Sequence, residues 1–209
     1  MRLSSFILAG TIILSCISCG NNRSEETVMK EGNPVIESIM ARRSIRKYKA
    51  EPVSRATMDT ILMCGINAPN GMNRQSWEVR VVDKLEVMAE IKEYMKAANP
   101  DVKPEMIEGC FRGAPTMVFV ANDPAYDFSA IDCGLLSENI MLSAWSLGVG
   151  SICLGSPVRF LTDNELCKPY VDRLGFSEGY EFCLCIGLGY PDETPEAKPR
   201  DIGKVAFVD

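Results

Sequence analysis

The sequence predicts an α+β domain arranged around one buried helix, and three stretches carry that expectation. Ser129 to Leu147 places Ile131, Leu135, Leu136, Ile140, Met141, Leu142, Ala144 and Trp145 so that almost no polar face remains. A helix that is apolar nearly all round is a buried one. Thr116 to Ala121 is a continuous apolar run between Pro115 and Asn122-Asp123-Pro124, which reads as a central strand. Glu181 to Tyr190 is a second such strand, stopped by Pro191. Helical and strand patterns alternate around these from Asn33 onward, and 209 residues at 46% hydrophobic content suit one domain with a sizeable core.

The chain begins with a segment that does not belong to the fold. Met1-Arg2 gives a positive start and Phe6 to Leu14 an apolar run of signal-peptide length. Leu14 to Gly20 then resembles a bacterial lipobox, with cleavage before Cys19 as the lipid acceptor and Cys16 as the alternative. Residues 1–19 are expected to be a lipoprotein-type signal peptide, 20–32 a polar tether, and 33–209 the single domain. The expected location is the cell envelope, with an exported protein held by its lipid.

Within the domain, Asn33-Pro34 caps a helix to about Ala41 with Val35, Ile36, Ile39 and Met40 on one face. Ser54 caps a second helix to about Ile66. Trp77 to Asp83 alternates apolar and polar residues as a strand does. Leu85 to Ala98 is amphipathic, with Met88, Ile91 and Met95 inward, and Pro104 to Gly109 adds a turn. Ser129 and Asp132 read as a capping box for the organising helix, and Gly148 and Gly150 mark its end. Leu161 to Asp172 reads as a helix capped at Thr162. Pro191 to Asp201 is rich in proline and charge and runs over a surface. Lys204 to Val208 is a last short strand-like piece.

Composition excludes several kinds of chemistry. The net charge of −6 argues against nucleic acid as a partner, because phosphate backbones call for a basic face. The chain has no histidine, which removes Ser-His-Asp and Cys-His catalysis and imidazole metal sites. An enzyme of this composition relies on a bound cofactor for its reactive step. Beyond Cys16 and Cys19, seven cysteines at irregular spacings read as mostly buried free thiols, with Cys183 and Cys185 on one face of a strand. No metal site is expected.

Three constellations bear on a site. Arg42, Arg43, Ser44, Arg46 and Lys47 crowd four cations and a hydroxyl into six residues, which fits either a solvated basic face or a phosphate fork. Lys198-Pro199-Arg200 is a second basic cluster in a proline-stiffened segment. Pro69, Asn70, Asn73 and Gln75 lie in a turn-rich loop that opens into a strand at Trp77. The organising helix exits through Gly148-Val149-Gly150-Ser151-Ile152-Cys153-Leu154-Gly155, bare backbone that suits a planar ligand.

Together these resemble the flavin-dependent nitroreductases. The matching stretches are Arg-Arg-Ser-x-Arg at 42–46, Ala-Pro-x-x-x-Asn-x-Gln-x-Trp at 68–77, Leu-Gly-Val-Gly-Ser-x-x-x-Gly at 147–155, Gly-Leu-Gly-Tyr-Pro at 187–191 and Lys-Pro-Arg at 198–200. They cover the chain from Pro34 to its end in the family's order. The family usually has serine where Asn70 stands and proline where Ser76 stands.

The resemblance implies a central mixed or antiparallel sheet flanked by helices, a buried central helix and an intertwined homodimer with FMN at the interface. Arg42, Arg43 and Ser44 would hold the phosphate and ribityl chain, with Lys198 and Arg200 completing the clamp. Arg46 would sit near N1 and the C2 carbonyl, where a cation favours the reduced flavin. Pro69, Asn70, Asn73 and Gln75 would reach the flavin held mainly by the other subunit. Backbone around Cys153, Leu154 and Gly155 would line the ring near N5, so no side chain is expected to be catalytic.

The implied activity is ping-pong electron transfer from NAD(P)H to nitroaromatic, quinone or similar electron-poor acceptors. The same superfamily also contains dehalogenases and flavin-degrading enzymes, although the short 84–114 segment leaves little room for a dehalogenase lid. A flavin-binding lipoprotein that relays or senses electrons without a substrate is the alternative of a different class. An outward-facing location would also distance the protein from cytosolic reduced nicotinamides and suit another donor.

Overall fold

The computed structural model describes residues 32–162 and 165–208. The signal segment, Cys16, Cys19 and the tether as far as residue 31 lie outside them. In chain order the elements are α1 (Pro34–Ala41), α2 (Arg55–Ile66), β1 (Trp77–Val82), α3 (Leu85–Ala98), α4 (Pro104–Glu108), β2 (Thr116–Asn122), α5 (Ser129–Ser146), β3 (Gly150–Leu154), α6 (Ser156–Thr162), α7 (Lys168–Arg173) and β4 (Glu181–Gly189). The four strands form one sheet in the order β1-β2-β4-β3, and every pairing is antiparallel.

The sheet divides the core into two layers. On one side Met88, Ile91 and Met95 of α3 pack with Phe111, Met117, Phe119, Leu161 and Cys185. On the other side Met58 and Ile61 of α2 and Leu136, Ile140 and Ala144 of α5 pack on Val118, Val120, Ile186 and Leu188. Adjacent residues of β2 therefore serve opposite layers, which is why Thr116 to Ala121 had to be apolar throughout. Among the described residues no helix is long and apolar enough to cross a membrane.

The capped helix starts stand as the sequence indicates. The Asn33 side chain accepts from the Val35 and Ile36 N–H groups, and the Ser54 hydroxyl oxygen accepts from Thr57 N–H. Several other expectations are corrected. Ser129 and Asp132 do not form a capping box, because both side chains turn inward to partners outside the first turn of α5. The single helix expected over Leu161 to Asp172 is two helices, and Thr162 closes the first by donating its hydroxyl to the Val158 carbonyl.

Among the described residues the strand-like piece at Lys204 to Val208 has no partner strand; a 3-10 turn at Ile202–Lys204 precedes an exposed tail. Cys183 and Cys185 lie on opposite sides of the sheet. A register shift between Val120 and Ala121 inserts Cys183 as the extra residue of β4, which resets the alternation. Among the seven described cysteines none is in a disulfide; four are buried, Cys183 is half-buried, and Cys64 and Cys153 are exposed.

The organising helix also differs from its expected burial. Leu136, Ile140 and Ala144 are fully covered, but Ile131 is 57% and Leu135 40% exposed on the opposite face. No residue of α1 is buried either, and Val35, Ile39 and Met40 are all exposed. One chain therefore leaves apolar faces uncovered that its sequence composed for burial.

Candidate active site

The basic arm that follows α1 is held against the sheet edge. Ile45 N–H donates to the Ser151 carbonyl at 2.9 Å, and Ser44 bridges Ser151 in parallel alongside β3. Further on, Tyr48 bridges Pro191, Lys49 N–H donates to the Tyr190 carbonyl and Asp192 N–H to the Lys47 carbonyl. The arm thus covers one edge of the sheet, which would otherwise leave backbone groups unpaired.

Gly150 makes this approach possible. A Cβ there would lie 2.7 Å from Ile45 Cγ1 and 2.9 Å from Pro191 Cγ. Gly189 does the same opposite Pro115 and Tyr48, where a Cβ would meet Cδ atoms at 2.7 Å and Cδ1 at 2.8 Å. Gly150, Gly187 and Gly189 are therefore places where side chains pack closely on bare backbone, whereas Gly148 meets no close neighbour and takes a φ of 75°. Tyr48 locks the arm further, its hydroxyl donating to the Ile45 carbonyl at 2.7 Å, and burial pushes its phenol well above the ordinary value.

With the arm in place, two clusters more than 150 residues apart in sequence converge. Arg42, Arg43, Ser44 and Arg46 line one pocket of about 140 Å³ together with Pro195, Glu196, Lys198 and Arg200. Five cations face one acid there, which is a strong field for an anion. Arg43 and Arg46 are braced by backbone: Arg43 donates to the Met40 and Arg42 carbonyls, and Arg46 to the Ser44 carbonyl at 3.0 Å. Arg42 Nε lies 3.5 Å from Glu138 Oε1 of α5, yet it is buried and makes no hydrogen bond. A buried donor with no acceptor is costly, so this pocket fits an anionic group such as a phosphate.

Beside the arm, β3 presents the Cys153 side chain outward, keeps Leu154 buried and ends at exposed Gly155. Desolvation by the surrounding protein and the nearby Cys183 and Glu138 push the Cys153 thiol up, against the pull of Arg42. Its surroundings therefore favour the thiol over the thiolate.

The loop bearing Pro69, Asn70, Asn73 and Gln75 does not line the arm's pocket within one chain. It is fastened to the start of α5 instead. Asp132, 2% exposed, accepts the Gly71 N–H at 3.0 Å and the Ser76 hydroxyl at 2.7 Å. Asn70 Oδ1 accepts the Gln75 N–H at 2.9 Å, and the Arg74 guanidinium lies 4.5 Å from the centre of the Tyr126 ring. Asn70 and Ser76 are the two departures from the family pattern, and both are hydrogen-bonded here.

This loop is strained. Met72, Asn73 and Gln75 have φ of 53°, 53° and 49°. Non-glycine residues held in the left-handed region cost on the order of 1–3 kcal/mol each. Such geometry persists only where its surroundings fix it.

The Nitroreductase family profile matches residues 39–190. The chain belongs to the nitroreductase family. It is 33% identical to a nitroreductase with bound FMN from Desulfitobacterium hafniense, with a TM-score of 0.76 over 85% of this chain and 99% of that one. A nitroreductase with bound FMN from Bacteroides fragilis is 28% identical, again at a TM-score of 0.76, with 85% of this chain and 100% of the other covered. An NADPH-flavin oxidoreductase of Vibrio harveyi is 28% identical over 190 residues, which span 80% of this chain and 70% of its own.

Four participants in the geometry are not apparent from the motifs. Glu193 accepts both the Arg46 and the Lys47 N–H groups on one carboxylate oxygen, and so pins the arm from the far side. Glu138 faces Arg42, while Asp132 and Ser76 hold the loop. A signal existed for two of them. Asp132 and Glu138 interrupt an otherwise apolar helix, and a charge in such a place needs a partner.

Proposed function

We propose that this protein is an FMN-dependent NAD(P)H oxidoreductase that reduces nitroaromatic, quinone or similar electron-poor acceptors. The carrying observation is the convergence of Arg42, Arg43, Arg46, Lys198 and Arg200 on one pocket that holds an unsatisfied buried donor. The family and its FMN-bearing relatives support the cofactor. When bound, FMN would supply the two-electron chemistry, taking reducing equivalents from NAD(P)H and passing them to the acceptor in two separate half-reactions.

The chain's own residues bind and orient. Arg42, Arg43, Ser44, Lys198 and Arg200 hold the phosphate and ribityl chain. Arg46, braced on the Ser44 carbonyl, would supply a cation to the pyrimidine side of the bound flavin and so favour negative charge there. Backbone at Cys153, Leu154 and Gly155 lines the ring. A chain without histidine would suit this division of labour, with the reactive chemistry supplied by the cofactor and binding and orientation by the protein.

A second copy completes the site in this reading. The uncovered faces of α1 and α5 are apolar, and the exposed tail with Val205, Phe207 and Val208 has β-type dihedrals at Val205. Strand β1 is a sheet edge. An intertwined homodimer covers all three by laying each tail along its partner, and brings Pro69, Asn70, Asn73 and Gln75 of one copy over the flavin of the other. Cleavage before Cys19 and lipid attachment there, with Cys16 as the alternative, would tether this dimer to the bacterial cell envelope.

The test is a flavin titration of the purified protein beside its Arg42→Ala and Arg200→Ala variants. Wild type is expected to be yellow and to oxidise reduced nicotinamide with a quinone or nitroaromatic present. The variants are expected to lose FMN affinity by about tenfold or more each, from charge-assisted contacts of about 1.5–3 kcal/mol, while riboflavin affinity stays nearly level. A colourless wild type inert to both nicotinamides ends the proposal. Flavin bound without turnover of any acceptor favours the relay or sensor role. Palmitate labelling lost on Cys19→Ala tests the anchor.

A further inference from the structure

The strained loop at 70–76 presents two amide side chains, Asn73 and Gln75, to solvent. Asn73 and Gln75 are exposed and, among the described residues, neither side-chain amide makes a hydrogen bond. Their backbone nevertheless sits in a conformation that L residues rarely adopt. The Gln75 N–H is used within the loop, by Asn70 Oδ1, but the strain leaves the Asn73 and Gln75 amides turned to solvent, which points to a task outside the loop.

One buried carboxylate fastens both ends of the strained stretch to α5. Asp132 uses one oxygen for the Gly71 N–H and the other for the Ser76 hydroxyl, at the two ends of the strained stretch. Among the described residues no arginine or lysine pairs with it, so the loop's own donors satisfy the buried charge. Opening the loop would strip both, and an unsatisfied buried carboxylate is among the most unfavourable states a fold can adopt. Gly71 completes the fit because Tyr126 lies directly over it, where a Cβ would stand 1.9 Å from the hydroxyl. Asp132 also sits on α5 two turns before Glu138, the partner of Arg42. The same helix therefore anchors the loop and touches the phosphate arm.

We propose that the Asp132–Ser76–Gly71 latch is a positioning device that holds Asn70, Asn73 and Gln75 in the geometry that meets the flavin ring and the incoming acceptor. The inference rests on the flavin reading above. Asp132 touches neither cofactor nor substrate; it acts through the loop.

Three variants test it: Ser76→Ala, Asp132→Ala and Asp132→Asn. An asparagine can accept from Gly71 N–H and donate to the Ser76 oxygen, so Asp132→Asn is expected to rescue what Asp132→Ala loses, and Ser76→Ala removes one bond only. Hydrogen exchange at 71–76 should accelerate about tenfold or more in Ser76→Ala, the size expected for one bond to a charged acceptor. Exchange in β2 and β4 should not change.

Affinity for FMN and for riboflavin should fall by the same factor, because the latch acts on the ring side and leaves the phosphate clamp intact. The acceptor KM should rise with little change at the nicotinamide step. A merely structural role would lower melting temperature without moving ring affinity or the acceptor KM, and that result overturns the inference. Unchanged loop exchange in Ser76→Ala also overturns it. A wild type that takes up no flavin sinks the functional reading itself, whereas flavin bound equally by all four proteins sinks only this proposal.

Discussion

At Gly150 one absent methyl group allows the basic arm to lie on the sheet. A Cβ would stand 2.7 Å from Ile45, a fully buried side chain, and 2.9 Å from Pro191, whose ring cannot swing away. Gly150→Ala is therefore expected to destabilise by about 1–3 kcal/mol, the range for overpacking a close contact. It should also weaken FMN binding, since Arg42 and Ser44 precede the displaced residue. Denaturant melts and flavin titration of one preparation measure both, and unaltered FMN affinity would show that the arm tolerates the shift. Glu193 acts on the arm from the other side, through the Arg46 and Lys47 N–H groups. Glu193→Ala is expected to lower FMN affinity about tenfold, with global stability nearly unchanged because the contact is exposed. The arginines of the arm were legible in the sequence because their spacing is itself a motif. Glu193 was not, because a lone acid in a proline-rich surface segment carries no local signal of the backbone it will meet.

At the scale of elements, the strands and most helices follow from local pattern, and the exceptions have physical causes. The run over Leu161 to Asp172 is helical in composition, but the chain breaks it into two pieces that pack α6 on β4 and α7 beyond it. The Cys183 bulge is invisible to period-two alternation because it breaks that alternation. The outer strand β1 depends on a polar tie that sequence pattern cannot place. Glu78 accepts from the Ser177 hydroxyl and N–H and from Arg80, whose guanidinium also donates to the Leu174 and Gly175 carbonyls. Partial burial pushes the Glu78 acid up, but the Ser177 and Arg80 contacts outweigh it and the net shift is downward. A carboxyl with a lowered folded value stabilises the fold fully above its ordinary range, near about 4.3, and loses that contribution as pH falls through the folded value. Glu78→Gln is thus expected to be less stable than wild type at neutral pH by less than about 1 kcal/mol, since the site is near the surface. The gap should close on acidification below about pH 4, as denaturant midpoints across that range would record.

The whole molecule explains why α5 was composed as a buried helix and is only half covered in one chain. Its inner face packs on the sheet, while Ile131, Leu135 and Leu147 remain exposed beside the exposed Val35, Ile39 and Met40 of α1. Hydropathy along a sequence does not distinguish burial by the same chain from burial by a second one, and within this chain only the inner face of α5 is covered. The tail makes the same point: Phe207 is 93% and Val208 99% exposed, an arrangement that is unfavourable in water unless another surface covers it. Two substitutions probe this at separate places. Ile131→Glu puts a charge on the outer face of α5, and deletion of residues 202–209 removes the tail without touching the core. Both are expected to shift the protein from dimer towards monomer in light scattering coupled to gel filtration. On the proposed two-copy site both should also lower FMN occupancy, although Arg42, Lys198 and Arg200 are untouched. A tail-deleted protein that remains dimeric and fully flavinated would separate the tail from the interface, and a wild type that is monomeric yet binds flavin would confine the whole site to one chain.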